Sequence, residues 1–134
     1  MLAIIAQPDG TLEEVQFEKH DYAVFSEAVK GLVEAHYYSD DLEHYHNEEF
    51  LYAEGEVFQS PNFIANVLSE GLVFYGPVIY FGGIDDEGYS RGLSAERAEQ
   101  IRIAARFVER FKDVFEQAAA HMAKPEPSFT ITTW

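Results

Sequence analysis

Two histidines one residue apart, His44 and His46, sit among Asp40, Asp41, Glu43, Glu48 and Glu49. They are the side chains of this chain that come nearest to a metal-binding set. On an extended segment, residues two apart point to the same side and lie about 6.6 Å apart along the chain. Imidazole with carboxylate suits zinc or nickel. The spacing matches no established ligand pattern, however, and a polar loop explains the segment equally well. No cofactor is expected.

Other chemistry is thinner still. Asp85-Asp86-Glu87-Gly88 has the composition of a calcium loop but lacks the Asp-x-Asp-x-Asp spacing and the downstream Glu. Gly82-Gly83 is too poor in glycine, and has no Lys, for a phosphate loop. Arg91 and Arg97 flank a helix start and are the groups that would welcome an anion. With Tyr45 and Tyr52 for stacking, they make the ligand-binding set for a nucleotide-like molecule held near the Gly82–Arg97 loop. The chain has no Cys, no Gly-x-Ser-x-Gly and no His-Glu-x-x-His, which removes thiol, disulfide and nucleophile-elbow chemistry. No catalytic residue is assigned, and the chain reads as a binding protein rather than an enzyme.

Charge is the strongest feature. The 134 residues carry a formal net charge of −15. Residues 1–90 hold 18 acids against Lys19 and Lys30, a balance of −16, while residues 91–134 are nearly neutral. Such a surface disfavours direct contact with nucleic acid or anionic membrane and favours fast encounter with basic proteins. The partner-binding set is therefore Glu13, Glu14, Glu18, Asp40, Asp41, Glu43, Glu48, Glu49, Glu54 and Glu56. The partner expected is a basic host protein, with mimicry of nucleic acid as the sharpest form. The apolar run after Met1 is too short for a secretion signal, and no stretch has the length of a membrane span. A cytoplasmic location is expected.

These residues need a scaffold. An apolar content of 47% with 11 Phe and 8 Tyr is enough for one folded domain over residues 1–134. Runs at 2–7 and 12–17, joined by Pro8-Asp9-Gly10, predict a hairpin. Asp21 is placed to cap a helix over 22–36 that Gly31 weakens. Residues 37–49 suggest a loop with a short strand, and 50–53 with 57–58 suggest a second hairpin around Glu54-Gly55-Glu56. Ser60-Pro61 suggests a helix start, and Val78 to Phe81 a strand. Ser94 caps a long helix that runs to Ala123. At about 1.5 Å per residue it spans roughly 44 Å and outruns a small sheet. Its overhang, Phe111, Phe115, Ala118 and Met122, is the expected homodimer interface. Arg102, Arg106 and Arg110 form a ridge on the same helix, suited to bridging the acidic body. Residues 128–134 alternate like a strand, and 124–134 read as a docking tail.

The fold class is therefore α+β: a small, mostly antiparallel sheet against two or three helices, with a long C-terminal helix and a short C-terminal strand. The element order is a hairpin, a helix, Pro61-Asn62-Phe63-Ile64-Ala65-Asn66, then Gly76-Pro77-Val78-Ile79-Tyr80-Phe81-Gly82 and Gly92-Leu93-Ser94-Ala95-Glu96. Over roughly residues 1–100 this order resembles a family of small uncharacterised proteins from phage and bacterial mobile-element genomes. The resemblance implies a mobile-element origin and supplies no catalytic residues. The long helix and the aromatic tail depart from the pattern.

Overall fold

A computed structural model describes residues 1–122. The tail at 124–134 and its predicted strand lie outside the described residues.

The first hairpin forms as predicted. Strand β1 (Leu2–Ala6) pairs antiparallel with β2 (Leu12–Gln16). The turn between them is set by Asp9, whose Oδ1 accepts from the Thr11 amide at 2.9 Å and hydroxyl at 2.6 Å. Gly10 supplies the positive φ of 90° that the turn needs.

Helix α1 (Tyr22–Val29) is shorter than expected. Asp21 precedes it, but its side chain makes no capping bond. Lys30 turns left-handed at φ 62°, and Asn47 donates to the carbonyls of Val29 and Lys30 at 3.1 and 3.3 Å. A Cβ on Gly31 would lie 2.8 Å from that Asn47 amide. The glycine thus allows the close approach that ends the helix, and residues 33–36 join the sheet instead.

Residues 37–47, expected as a loop with a short strand, belong instead to a hairpin of β3 (Val33–Ser39) and β4 (Leu42–Asn47), whose register shifts between Tyr37 and Ser39. The hairpin predicted around Gly55 is absent. Residues 48–62 make turns and one short 3₁₀ turn at Glu56–Phe58. Phe50 packs beside Phe74 and Tyr75, while Phe58 is buried under Gly76, where a Cβ would lie 2.5 Å from its ring. The two aromatics enter the core at separate places, so the segments holding them do not pair.

Helix α2 (Phe63–Leu68) is capped by Asn62, not by Ser60. The Asn62 oxygen accepts from the Ala65 amide, and its amide donates to the carbonyls of Ala6 and Gly76 at 2.8 and 2.9 Å. Strand β5 (Val78–Phe81) then fills the centre of a five-stranded sheet ordered β2-β1-β5-β4-β3, antiparallel throughout. Burial on both faces accounts for its unbroken apolar run.

The long helix forms with a break. Helix α3 (Ala95–Arg110) is capped by Ser94, and α4 (Lys112–His121) follows across Phe111 at φ −105° and ψ 29°. No Pro or Gly marks the position. The bonds Phe111 N–H to Phe107 and Phe115 N–H to Phe111 persist at 3.1 Å, so the path is kinked but continuous. Ala98, Ile101, Ala104 and Val108 face the sheet, and Phe115 packs on Phe63 of α2 with ring centres 4.9 Å apart. Helices α2 and α3 cover one sheet face over Ile4, Ala6, Val78 and Tyr80. Helix α1 covers the other over Ala3, Ile5, Ile79 and Phe81.

Candidate functional site

The antiparallel sheet sorts its acids to two ends. The register puts the 7–11 turn, the 30–32 turn and the 48–62 connection at one end, called here the Pro8 end. Residue 18, the β3–β4 turn, the 82–92 loop and the start of α3 lie at the other, the Met1 end.

At the Met1 end two of the acids, Asp41 and Glu87, are ion-paired within the molecule. Arg97 grips Asp41 through Nε at 3.0 Å and Nη2 at 2.8 Å, and also reaches Gln100 and Ser39. That guanidinium, followed by the Ser39 hydroxyl, holds the Asp41 carboxyl down at about 2. Lys19 meets Glu87 at 3.0 Å. Arg91 donates to the carbonyl oxygens of Ile84 at 2.8 Å and Asp40 at 3.4 Å. Glu18 stands exposed just beyond β2.

Along the sheet, Glu13 and Glu14 take opposite faces of edge strand β2, and Glu14 pairs with Arg102. Arg106 meets Glu99 at 2.8 Å. The ridge of Arg102 and Arg106 thus bridges to the acidic body and to its own helix. Glu43 lies on β4, where partial burial raises its carboxyl and Arg91 opposes the rise.

The Pro8 end is different. Glu48, Glu49, Glu54 and Glu56 are all exposed, and their carboxylates make no ion pair or hydrogen bond among the described residues. Between them stand two apolar side chains open to water, Leu51 at 41% exposure and Tyr52 at 72%. Asp9 and Glu56 line one hollow at the same end. Asp9 is held below the usual carboxylate range by the Thr11 hydroxyl and amide. The ten predicted partner-binding acids therefore divide between two ends and an edge, and four of them converge on this loop.

The predicted ligand residues do not converge. Tyr45 stacks on Phe81 under α1, with ring centres 4.4 Å apart, and Tyr52 stands at the Pro8 end. Arg91 and Arg97 lie at the Met1 end. A cleft of about 440 Å³ does open beside Arg97, lined by His36, Tyr38, Leu68, Glu70 and Gln100.

His44 and His46 point to the same side of β4, as the strand period requires, but inward. They form a buried chain that the sequence reading missed. The Tyr80 hydroxyl lies 3.2 Å from that of Tyr38, which lies 2.7 Å from His44 Nδ1. His44 Nε2 lies 3.0 Å from His46 Nδ1, and His46 Nε2 lies 3.8 Å from the Glu34 carboxylate. That carboxylate favours a proton on His46 Nε2. His46 Nδ1 then accepts from His44, His44 Nδ1 accepts from Tyr38, and Tyr38 accepts from Tyr80. In this arrangement each bond has one proton, and it needs both rings neutral.

Burial is the first cause that lowers His44 well below its usual value, with His46 and His36 adding to it. Burial also lowers His46, against the pull of Glu34, and lowers His36. Phe74 closes the cluster, with its ring 4.7 and 4.8 Å from those of His44 and His46. No group of three His, Cys, Asp or Glu side chains is placed to hold a metal among the described residues. The alternation His36-x-Tyr38 and His44-x-His46 was the available signal for an inward face.

The predicted oligomer residues are spread around the kink. Phe111 is exposed at the break, Phe115 is half-buried on Phe63, Ala118 is half-buried on α4, and the Met122 carbonyl accepts from the Tyr75 hydroxyl. No helix among the described residues is long and apolar enough to cross a membrane.

A family model described as a domain of unknown function, DUF3846, matches residues 1–112. The match covers the whole sheet, all of α1, α2 and α3, and the kink. No curated protein and no solved structure matches the chain. The chain belongs to the DUF3846 family.

Proposed function

We propose that this DUF3846 protein is a cytoplasmic binding protein of phage or mobile-element origin. Its Pro8 end engages a basic surface on a host protein. One observation carries the reading: the carboxylates of Glu48, Glu49, Glu54 and Glu56 have no cation among the described residues and surround exposed Leu51 and Tyr52. Like charges held on one loop repel each other, and a basic partner relieves that repulsion. An aromatic and an aliphatic anchor ringed by charge also fits the anatomy of a protein interface, where anchors supply affinity and the rim supplies rate and selectivity. At the Met1 end, Arg97 and Lys19 already pair with Asp41 and Glu87.

The sharper version is anti-defence mimicry, in which the loop occupies a nucleic-acid site on a restriction or related host protein. The cleft beside Arg97 supports a second reading, a pocket for a small nucleotide-like ligand. That reading is the weaker one, because an anion there has to displace Asp41 from the guanidinium.

The test is capture of partners from host lysate on the tagged protein at low and at high salt. The expected result is one nucleic-acid-binding protein, released as salt rises and displaced by duplex DNA or RNA. Capture that is indifferent to salt and nucleic acid contradicts the mimicry, and no specific capture at either salt contradicts the binding role.

A further inference from the structure

Beside the acidic loop, the α3–α4 kink leaves a groove. It has a volume of about 330 Å³ and runs between the β1–β2 turn, the start of α2 and the inner side of α4. Its floor is apolar, built from Pro61, Phe63, Val108 and Phe115. A second hollow of about 250 Å³ shares Pro8, Asp9 and Ser60 with it and extends the path to Glu56 and Val57. Among the described residues, three carboxylates, of Asp9, Glu56 and Glu116, stand along this path against one ammonium, of Lys112. Asp9 Oδ1 receives both Thr11 bonds, so its second oxygen has no hydrogen bond among the described residues.

An apolar floor with acidic walls selects an occupant that carries both characters. Alternate side chains of an extended peptide point to opposite sides. An aliphatic or aromatic side chain can therefore enter over Phe63 and Phe115 while neighbouring Lys or Arg side chains reach the rim. We infer that this groove seats a short extended segment of the partner in which apolar and basic residues alternate. The inference rests on the reading of the Pro8 end as the binding end and names the partner chemistry it takes.

The test uses the full chain and a fluorescent hexapeptide of alternating lysine and leucine, followed by anisotropy. Alternating lysine–serine and glutamate–leucine peptides serve as comparisons. Ala119, half-buried on the groove wall, is changed to Phe to fill it, and Glu116 on the exposed rim is changed to Lys. The lysine–leucine peptide is expected to bind the native protein at least ~10-fold more tightly than either comparison, and Ala119→Phe to lose about 10-fold. Glu116→Lys, which leaves the core untouched, is expected to lose a similar factor and decides the matter if Ala119→Phe does not fold.

Equal binding of lysine–leucine and lysine–serine peptides overturns the groove, because charge alone then explains the affinity. Undiminished binding by a folded Ala119→Phe overturns it too. So does self-association of the native protein in sedimentation that Ala119→Phe abolishes, since a second copy then fills the site. Failure of lysate capture with these peptide results intact sinks the acidic-loop reading alone. Capture that depends on Glu48 to Glu56 but ignores Ala119→Phe sinks the groove alone.

Discussion

Asn62 joins three elements with one side chain. It caps α2, and its amide bonds the ends of β1 and of the segment leading into β5. It is fully buried, so each lost bond leaves an unsatisfied backbone group. Asn62→Ala is expected to cost about 2–4 kcal/mol, read from urea unfolding. The histidines set a pH response. In the folded protein His36, His44 and His46 are all lowered from their usual value. Just below the unfolded value, near 6.5, the unfolded chain binds more protons than the folded one, so stability rises with pH through that window. The urea midpoint is therefore expected to fall between about pH 7 and about pH 5. Asp41, held at about 2, and Asp9 keep their contribution until far lower pH. A midpoint flat over the first window would contradict neutral buried rings. At this scale the sequence told which residues were unusual but not where they pointed. His44 and His46 looked like surface ligands because acids flank them, and only the pairing of β4 with β5 turns them inward.

Elements were legible where local pattern and tertiary context agree. The Pro8-Asp9-Gly10 hairpin, the Val78–Phe81 strand and the Ser94 cap each carry their own signal, in turn chemistry, a continuous apolar run and a capping side chain. The failures share a cause. Residues 33–36 fit a helical stripe, yet Asn47, 17 and 18 residues beyond the carbonyls it bonds, stops α1 and frees them for the sheet. Phe50 and Phe58 suggested paired strands, but each is drawn separately beneath residues 74–76. The kink at Phe111 has no marker of its own. Phe115 on Phe63 and the Tyr75 hydroxyl on the Met122 carbonyl hold α4 near the body, where no residue of α4 is fully buried. Phe115→Ala is expected to cost about 1–2 kcal/mol and to raise hydrogen exchange across 112–121 while leaving the strands protected. Equal loss of protection in β1 and β5 would show instead that α4 belongs to the central cooperative unit.

The whole molecule carries a net charge of −15. Mutual repulsion opposes compactness, and salt screens it. Raising salt is expected to lift the melting temperature by roughly 2–5 °C. A fall would mean that pairs such as Arg97–Asp41 and Arg102–Glu14 outweigh the repulsion. Composition made the acidity plain, but the grouping of Glu48, Glu49, Glu54 and Glu56 at one end needed the strand order, because residues 18, 41 and 87 come to the opposite end only through the sheet. The measurement that bears most directly on the account compares two charge-matched variants in partner capture at low salt. One carries Glu48→Gln, Glu49→Gln, Glu54→Gln and Glu56→Gln at the Pro8 end. The other carries Glu18→Gln, Asp86→Asn, Glu87→Gln and Glu96→Gln at the Met1 end. Capture lost in the first and kept in the second is the predicted result. Equal loss in both, or loss only in the second, would contradict the assignment of the Pro8 end as the binding end.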